Sequence, residues 1–290
     1  MDPRKPFTAE LAQSLVGASL PTSHRRWDAD DVILYHLGVG AGAALPEGDL
    51  RYVYERDLVV LPSFATAVVH PTGTASDRIP GLTLDRSMTV HGEQEVILHQ
   101  PIPLEADTET TGKVIEICEM GRHALIRTET QTRDADGVLL FTTRFGIVLR
   151  EAGGFGVART SAVADDAPAE PADVVVRVPT SPRQAAIYRL CGDRNPLHID
   201  PQHARAVGFD LPILHGLSTF GAIVRCAIDE AAGGRPQDVA AIGARFGSPV
   251  IPGDELDVEL WQRGEHVHIR ARVPGAERAV LTHAHLQLRS

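Results

Sequence analysis

Cysteine is scarce in this sequence. Only Cys118, Cys191 and Cys226 occur in 290 residues, far apart and with no CxxC pair. That excludes a disulfide framework and a zinc ribbon, and it fits a reducing compartment. Long apolar runs are also missing, so no membrane span is expected. The opening "MDPRKPFTAE" lacks a basic stretch followed by an apolar one, and the closing "LQLRS" is no Ser-Lys-Leu ending. Neither secretion nor peroxisomal import is therefore expected, which leaves the cytoplasm. Lysine is nearly absent, since Lys5 and Lys113 are the only ones and arginine supplies the other basic residues. A net charge of −10 argues against nucleic acid as a partner. An anionic small molecule stays open, because a few arginines suffice for one phosphate group.

What is present is ordinary globular composition, with 43% apolar and 23% charged residues, enough for one large domain or two of usual size. The segment "EAGGFGVARTSAVADDAPAEPADV", Glu151 to Val174, is rich in Gly, Ala, Pro and Asp and has no apolar period. It reads as a linker between a first half, 1–150, and a second half, 175–290. Two halves of similar size invite a search for duplication.

The second half is the easier to read. "SPRQAAIYRL" opens with Ser181 as N-cap, Pro182 at the first helical position and Gln184 closing a capping box, and Gly192 ends it. "DPQHARAVG" repeats the device with Asp200, Pro201 and Gly208. "HGLSTFGAIVRCAIDEAAGG" is a longer apolar helix stopping at Gly233 and Gly234. Four extended runs follow near 239–248, 255–263, 266–273 and 279–288. The order predicts an α+β layer, one apolar helix wrapped by a curled antiparallel sheet.

The first half shows the same order more faintly. "DADDVILYHLGVGAG" is predicted as a helix with acidic caps and "LPSFATAVVHP" as a short apolar one. Strand-like runs follow near 82–98, 107–118, 123–133 and 138–149. Tyr35 precedes Pro62 by the same 27 residues that separate Tyr188 from His215, and "HQPIPLE" matches "GSPVIPGDE" in proline spacing. Two copies of one fold is the expectation. The copies differ after the tyrosine, where "HLGVGAG" stands against "RLCGDRNPLH".

That second stretch holds more polar residues than capping needs. Asp193, Asn195 and His198 lie on a tight turn between helices, and Pro196 biases Asn195 to extended backbone. The turn should bring the Asp193 carboxylate beside the His198 imidazole, a pair able to hold one water and share its proton. Asn195 could orient either partner. Downstream, "LHGLST" starts the long helix, whose free N–H groups, that of Gly216 above all, form an anion site. His215 is expected to have a structural role or to contact Asp193 through the backbone.

"YRLCGDRNPLHID" followed by "GFDLPILHGLSTFG" resembles the signature of the (R)-specific enoyl-CoA hydratases, type-two hydratases of the MaoC-like hot-dog superfamily. "LYHLGVGAG", "YVYERDL", "VLPSFA", "IPGL", "VHGEQ" and "GGFG" are similar to features of the double hot-dog members, and "ARFGSPVIPGD" to the second repeat. The resemblance implies a double hot-dog fold and hydration of a trans-2-enoyl-CoA to a (3R)-3-hydroxyacyl-CoA. Asp193 and His198 would position the water, Asn195 support the site, and the Gly216 N–H polarise the thioester carbonyl. No cofactor or metal is implied, since the thioester is itself the electron sink. The first half would accommodate the acyl chain as a degenerate repeat. Arg183, Arg194 and Arg245 are candidates for the phosphates of CoA, with His215 counted among the substrate-binding residues. A homodimer is implied by resemblance alone.

Other patterns carry less. His198, Asp200, His203 and His215 match no metal motif such as HExxH. "GVGAG" mimics a dinucleotide loop but ends a helix-like run instead of following a strand, and "GLSTFG" is no GxSxG elbow. "HVH" (266–268) and "HAH" (283–285) read as a solvated sheet face, and His91 as touching the linker, the acyl pocket or the sheet. Three competing functions remain: a dehydratase acting on acyl-carrier-protein thioesters, a hot-dog thioesterase, and a non-catalytic acyl-CoA binder.

Overall fold

A computed structural model describes residues 6–42, 49–69, 79–84, 88–161 and 166–290. Its frame is one antiparallel sheet of ten strands: β1 (Ser19–Trp27), β2 (Thr89–Leu98), β3 (Ala106–Met120), β4 (His123–Asp134), β5 (Leu139–Leu149), β6 (Val174–Pro179), β7 (Val239–Phe246), β8 (Glu255–Arg263), β9 (His266–Arg272) and β10 (Leu281–Leu288). The order across the sheet is β1-β3-β4-β5-β2-β7-β10-β9-β8-β6. Read inward from either edge, the two sets of five strands have the same connectivity, as duplication requires. The halves meet where β2 pairs β7, with Glu93 opposite Arg245 and Val96 opposite Ile242.

Seven α-helices are described: α1 (Ala9–Leu15), α2 (Ala29–Gly38), α3 (Leu50–Val53), α4 (Phe64–Val69), α5 (Gln184–Tyr188), α6 (Pro201–Ala206) and α7 (Gly216–Ala231). The expected acidic cap of α2 is present: the Asp28 carboxylate accepts from the N–H groups of Asp30 and Asp31, and that of Asp31 accepts from Asp28 N–H. At α5 the Ser181 hydroxyl accepts from Arg183 N–H and the Gln184 side-chain oxygen from Ser181 N–H. Asp200 caps α6 through Gln202 N–H, and Gly192 and Gly208 take positive φ where their helices stop.

Helix α7 is the axle of the second half. Phe220, Ile223, Val224, Ala227 and Ile228 are buried on it and join one core with Ile242, Val258, Ile269 and Leu286 from the sheet. Burial of side chains this size contributes roughly 1.5–3 kcal/mol each, which is why a 16-residue helix can sit against a sheet without a disulfide. The same core runs into the first half through Trp27, Tyr35, Tyr52, Phe64 and Phe141. Polar ties fix α7 to that half: Tyr52 Oη donates to Asp229 at 2.6 Å, Arg51 to Asp229 at 2.9 Å, and Ser218 Oγ to Gly38 O at 2.7 Å.

Four sequence expectations need amendment. Residues 19–27 and 174–179 are strands although neither was expected as one. Both are edge strands, and β1 is polar and interrupted by Pro21, so no alternation announces it. The first strand-like run near 82–98 is a strand only from Thr89, and 85–87 lie outside the described residues. Most of the linker is described, all but 162–165, and it is a strap bound to the sheet. Arg159 forms a two-point bond with Glu93, and Thr160 and Ser161 N–H donate to Glu116. Asp166 accepts from His283 N–H, and Glu170 O from the Trp261 indole. The histidine pairs differ as well. His283 sits at φ 47 in a register shift, while His266, His268 and His285 form a half-buried cluster with ring centroids 4.4 and 5.7 Å from His266.

Candidate active site

The turn between α5 and α6 is built by its own polar residues. The Asp193 carboxylate accepts from Asn195 N–H at 3.1 Å, and the Asn195 side-chain oxygen caps the short 3₁₀ turn Pro196–His198 through Leu197 N–H at 3.0 Å. Asn195 therefore acts on the backbone of the turn, with its side chain exposed. One Asp193 oxygen, Oδ1, is held this way.

His198 is buried at the end of that turn. Its Nδ1 lies 2.9 Å from Ile213 O. A peptide carbonyl can only accept, so Nδ1 carries the hydrogen and Nε2 keeps its lone pair. Burial pushes His198 below the ordinary imidazole value, against the opposing pull of the Asp193 carboxylate and the Ile213 bond. A neutral imidazole offering a lone pair thus stands beside a carboxylate.

His215 closes the group. Its Nε2 lies 3.2 Å from Asp193 O, so it touches Asp193 through the backbone as expected. By the same argument Nε2 is the donor, and the buried Nδ1 has no hydrogen-bond partner. Its ring stacks on His198 at 3.8 Å and 29°, with Tyr188 at 4.9 Å. Burial, then the neighbouring His198, hold His215 down to about 2, so it stays neutral. One ligating atom from each of Asp193, His198 and His215 lies within 4.8 Å of the others. The sequence spacing put Asp193 and His198 together but did not place the stacked His215.

Gly216 follows directly and opens α7, whose first N–H groups have no acceptor within the helix. Leu214 N–H donates to Val250 O at 2.7 Å, tying this entrance to the "SPVIPGD" loop. A Cβ on Gly216 would meet the Phe246 ring at 3.1 Å, so any larger residue would push the ring back by a few tenths of an ångström. Phe246, Tyr188 and the Ile213 carbonyl were not foreseen. A backbone carbonyl leaves no sequence signal, and the two aromatics look like core residues until the chain is folded.

The three candidate arginines separate. Arg183 and Arg194 are exposed, the first at the start of α5 and the second on the turn. Arg245 instead donates through Nε to Glu93 at 2.8 Å within a cluster that includes Arg127 and Arg159. His203 and Asp200 lie on α6 and its cap and do not join the three-residue group.

A carboxylate, a neutral imidazole and a helix start suit water addition to a polarised double bond. Two family models match the chain in tandem: an MFE-2 hydratase 2 N-terminal domain over residues 26–151 and a MaoC like domain over 163–282. Enoyl-CoA hydratase ChsH3 of Mycobacterium tuberculosis is 36% identical over 269 residues, 92% of this chain and 94% of that protein. Mouse peroxisomal multifunctional enzyme type 2 is 35% identical over 282 residues, 94% of this chain but 38% of that longer protein. The 3-hydroxyacyl-thioester dehydratase Y of Mycobacterium tuberculosis is 36% identical over 256 residues, 85% of this chain and 86% of that one. Among solved structures, the MaoC-like dehydratase from Phytophthora capsici superposes with TM-score 0.84 at 27% identity, covering 96% of this chain and 98% of that one. A Mycobacterium tuberculosis protein described as a double hotdog shares the fold alone, at TM-score 0.59 and 14% identity, with 99% of each chain covered. The repeated sheet, the order of the two domain matches and the end-to-end likeness to a hydratase agree, and the chain belongs to the MaoC-like hydratase 2 family, with a double hot-dog fold.

Proposed function

We propose that the chain is a hydro-lyase that reversibly hydrates a trans-2-enoyl-CoA to the (3R)-3-hydroxyacyl-CoA. The observation that carries this is the grouping of Asp193, His198 and His215 within 4.8 Å beside the start of α7. A water held between the Asp193 carboxylate and His198 Nε2 adds its oxygen to C3. The C2–C3 π electrons move onto the thioester oxygen, where the Gly216 N–H stabilises the negative charge. The dyad takes the water's proton, and a proton is returned to C2. Asn195 keeps the turn in shape. In this proposal the second half performs the chemistry, and the exposed Arg183 and Arg194 meet the CoA phosphates. The first half takes up the acyl chain; an apolar cleft of about 280 Å³, lined by Leu58, Val60, Pro62, Leu98, Ile102 and Pro236, supports that role. We also propose a cytoplasmic homodimer. No helix among the described residues is long and apolar enough to cross a membrane.

The likeness to a 3-hydroxyacyl-thioester dehydratase favours a second reading, the reverse reaction on an acyl-carrier-protein thioester. Loss of enoyl-thioester absorbance, followed with CoA and with acyl-carrier protein as carrier, separates the two. Asp193→Asn is expected to bind CoA esters normally while kcat drops about 10²–10⁴-fold. Near wild-type turnover in that variant removes Asp193 from the mechanism. Release of free thiol in place of hydration would mark a thioesterase.

A further inference from the structure

The motif "VHGEQ" in the first half has no part in the chemistry above, yet the fold brings it under the site. In the β2–β5 ladder His91 faces Ile147 and Glu93 faces Gly146, so Gly92 is an extra residue, a β-bulge. A Cβ there would meet Val148 Cγ2 at 2.6 Å, which requires glycine. Without the bulge, His91 and Glu93 would point to one face. With it they point to opposite faces. Glu93 joins Arg127, Arg159 and Arg245 on the face crossed by the strap. His91 turns to the face of α7 and is sandwiched between Phe145 at 3.9 Å and Phe246 at 4.3 Å. Its Nε2 lies 3.0 Å from Glu93 O, which fixes the ring plane.

Phe246 is the ring on which Gly216 rests, and it also meets Phe220 of α7 edge-on at 6.3 Å. A continuous stack therefore runs Phe145, His91, Phe246, Gly216, crossing from the first half to the second at the β2–β7 seam. We propose that His91 and Phe246 are positioning residues that set the Gly216 amide for the thioester oxygen, so that the first half shapes the reaction as well as the acyl pocket. A shift of about 1 Å in a group that meets the transition state can cost roughly 100-fold in rate.

The inference rests on the hydratase proposal, and one experiment tells them apart. Wild type, His91→Leu, Phe246→Leu and His91→Phe are compared for hydration and for the infrared carbonyl stretch of a bound saturated acyl-CoA, isotopically labelled at the thioester carbon. Wild type should hydrate enoyl-CoA and lower the carbonyl frequency on binding. The folded leucine variants should lose most of that lowering, with kcat down roughly 10- to 100-fold and KM within about twofold. His91→Phe, which keeps the stack, should retain both. Should His91→Leu fail to fold, Phe246→Leu and His91→Phe carry the same readouts. Leucine variants with wild-type kcat and carbonyl shift overturn the inference, as does damage to His91→Phe equal to that in Phe246→Leu. Absence of hydration by wild type would instead defeat the underlying proposal.

Discussion

Single residues here are decided by what their neighbours leave them. His36 and His215 are both buried and both neutral, for different ends. His36 is satisfied on both sides, with Nδ1 2.7 Å from Tyr52 O and Nε2 accepting from Leu61 N–H at 3.2 Å. Burial first, opposed by the Tyr52 bond and aided by Arg225, brings it from 6.5 to about 4. The sign follows from linkage. Below about pH 6.5 the unfolded chain takes up a proton that the folded chain refuses until far lower pH, so stability present above that value is lost as pH falls. Between pH 7 and pH 5 each of the two histidines should remove about 2 kcal/mol. Urea unfolding at the two pH values checks this. His36→Gln should show a pH dependence smaller by that amount, and an unchanged dependence would clear His36 of any part.

At the scale of elements, the strap is the surprise. A Gly- and Pro-rich segment with no periodicity usually means free chain, yet here it is fastened by charge. Glu116 is nearly buried, and burial works to raise its pKa. The hydrogen bonds from Ser161 and Thr160 outweigh that and bring it down to about 2. Glu116 thus remains ionised across the physiological range and keeps its hold on the strap. Glu116→Gln weakens two charge-assisted backbone bonds, and the expected cost is about 1–3 kcal/mol, felt locally. Hydrogen exchange at the Thr160 and Ser161 amides should then quicken about tenfold or more while α7 is unaffected. Equal exchange in both chains would show that Arg159 and Glu93 hold the strap alone.

For the whole molecule, the unequal copies matter most. The polar turn present after Tyr188 has no equivalent after Tyr35, where the first half reads "HLGVGAG". The two tyrosine rings still face one another at 6.0 Å across the seam, as copies of one position should. If the apolar cleft of the first half serves the acyl chain, long or bulky enoyl thioesters should turn over at least as well as short ones. A substrate series by absorbance loss measures this, and turnover confined to short acyl chains would count against that use of the first half.

The sequence by itself determined the repeat, most element positions and the residues of the polar turn. Those depend on local matters: capping by Asp28 and Asp200, helix stops at Gly192 and Gly208, and short-range alternation in the strands. Asp193 and His198 were legible because five residues on a tight turn can scarcely be far apart. Tertiary structure alone decided what lies across the sheet from a given residue. It put Arg245 on Glu93, turned His91 under Gly216 through a bulge, stacked His215 on His198 and tied the strap to Glu116. Each of these joins residues 17 to more than 150 positions apart in the chain. Such contacts form when strands pair and apolar faces bury together, and no local propensity encodes them.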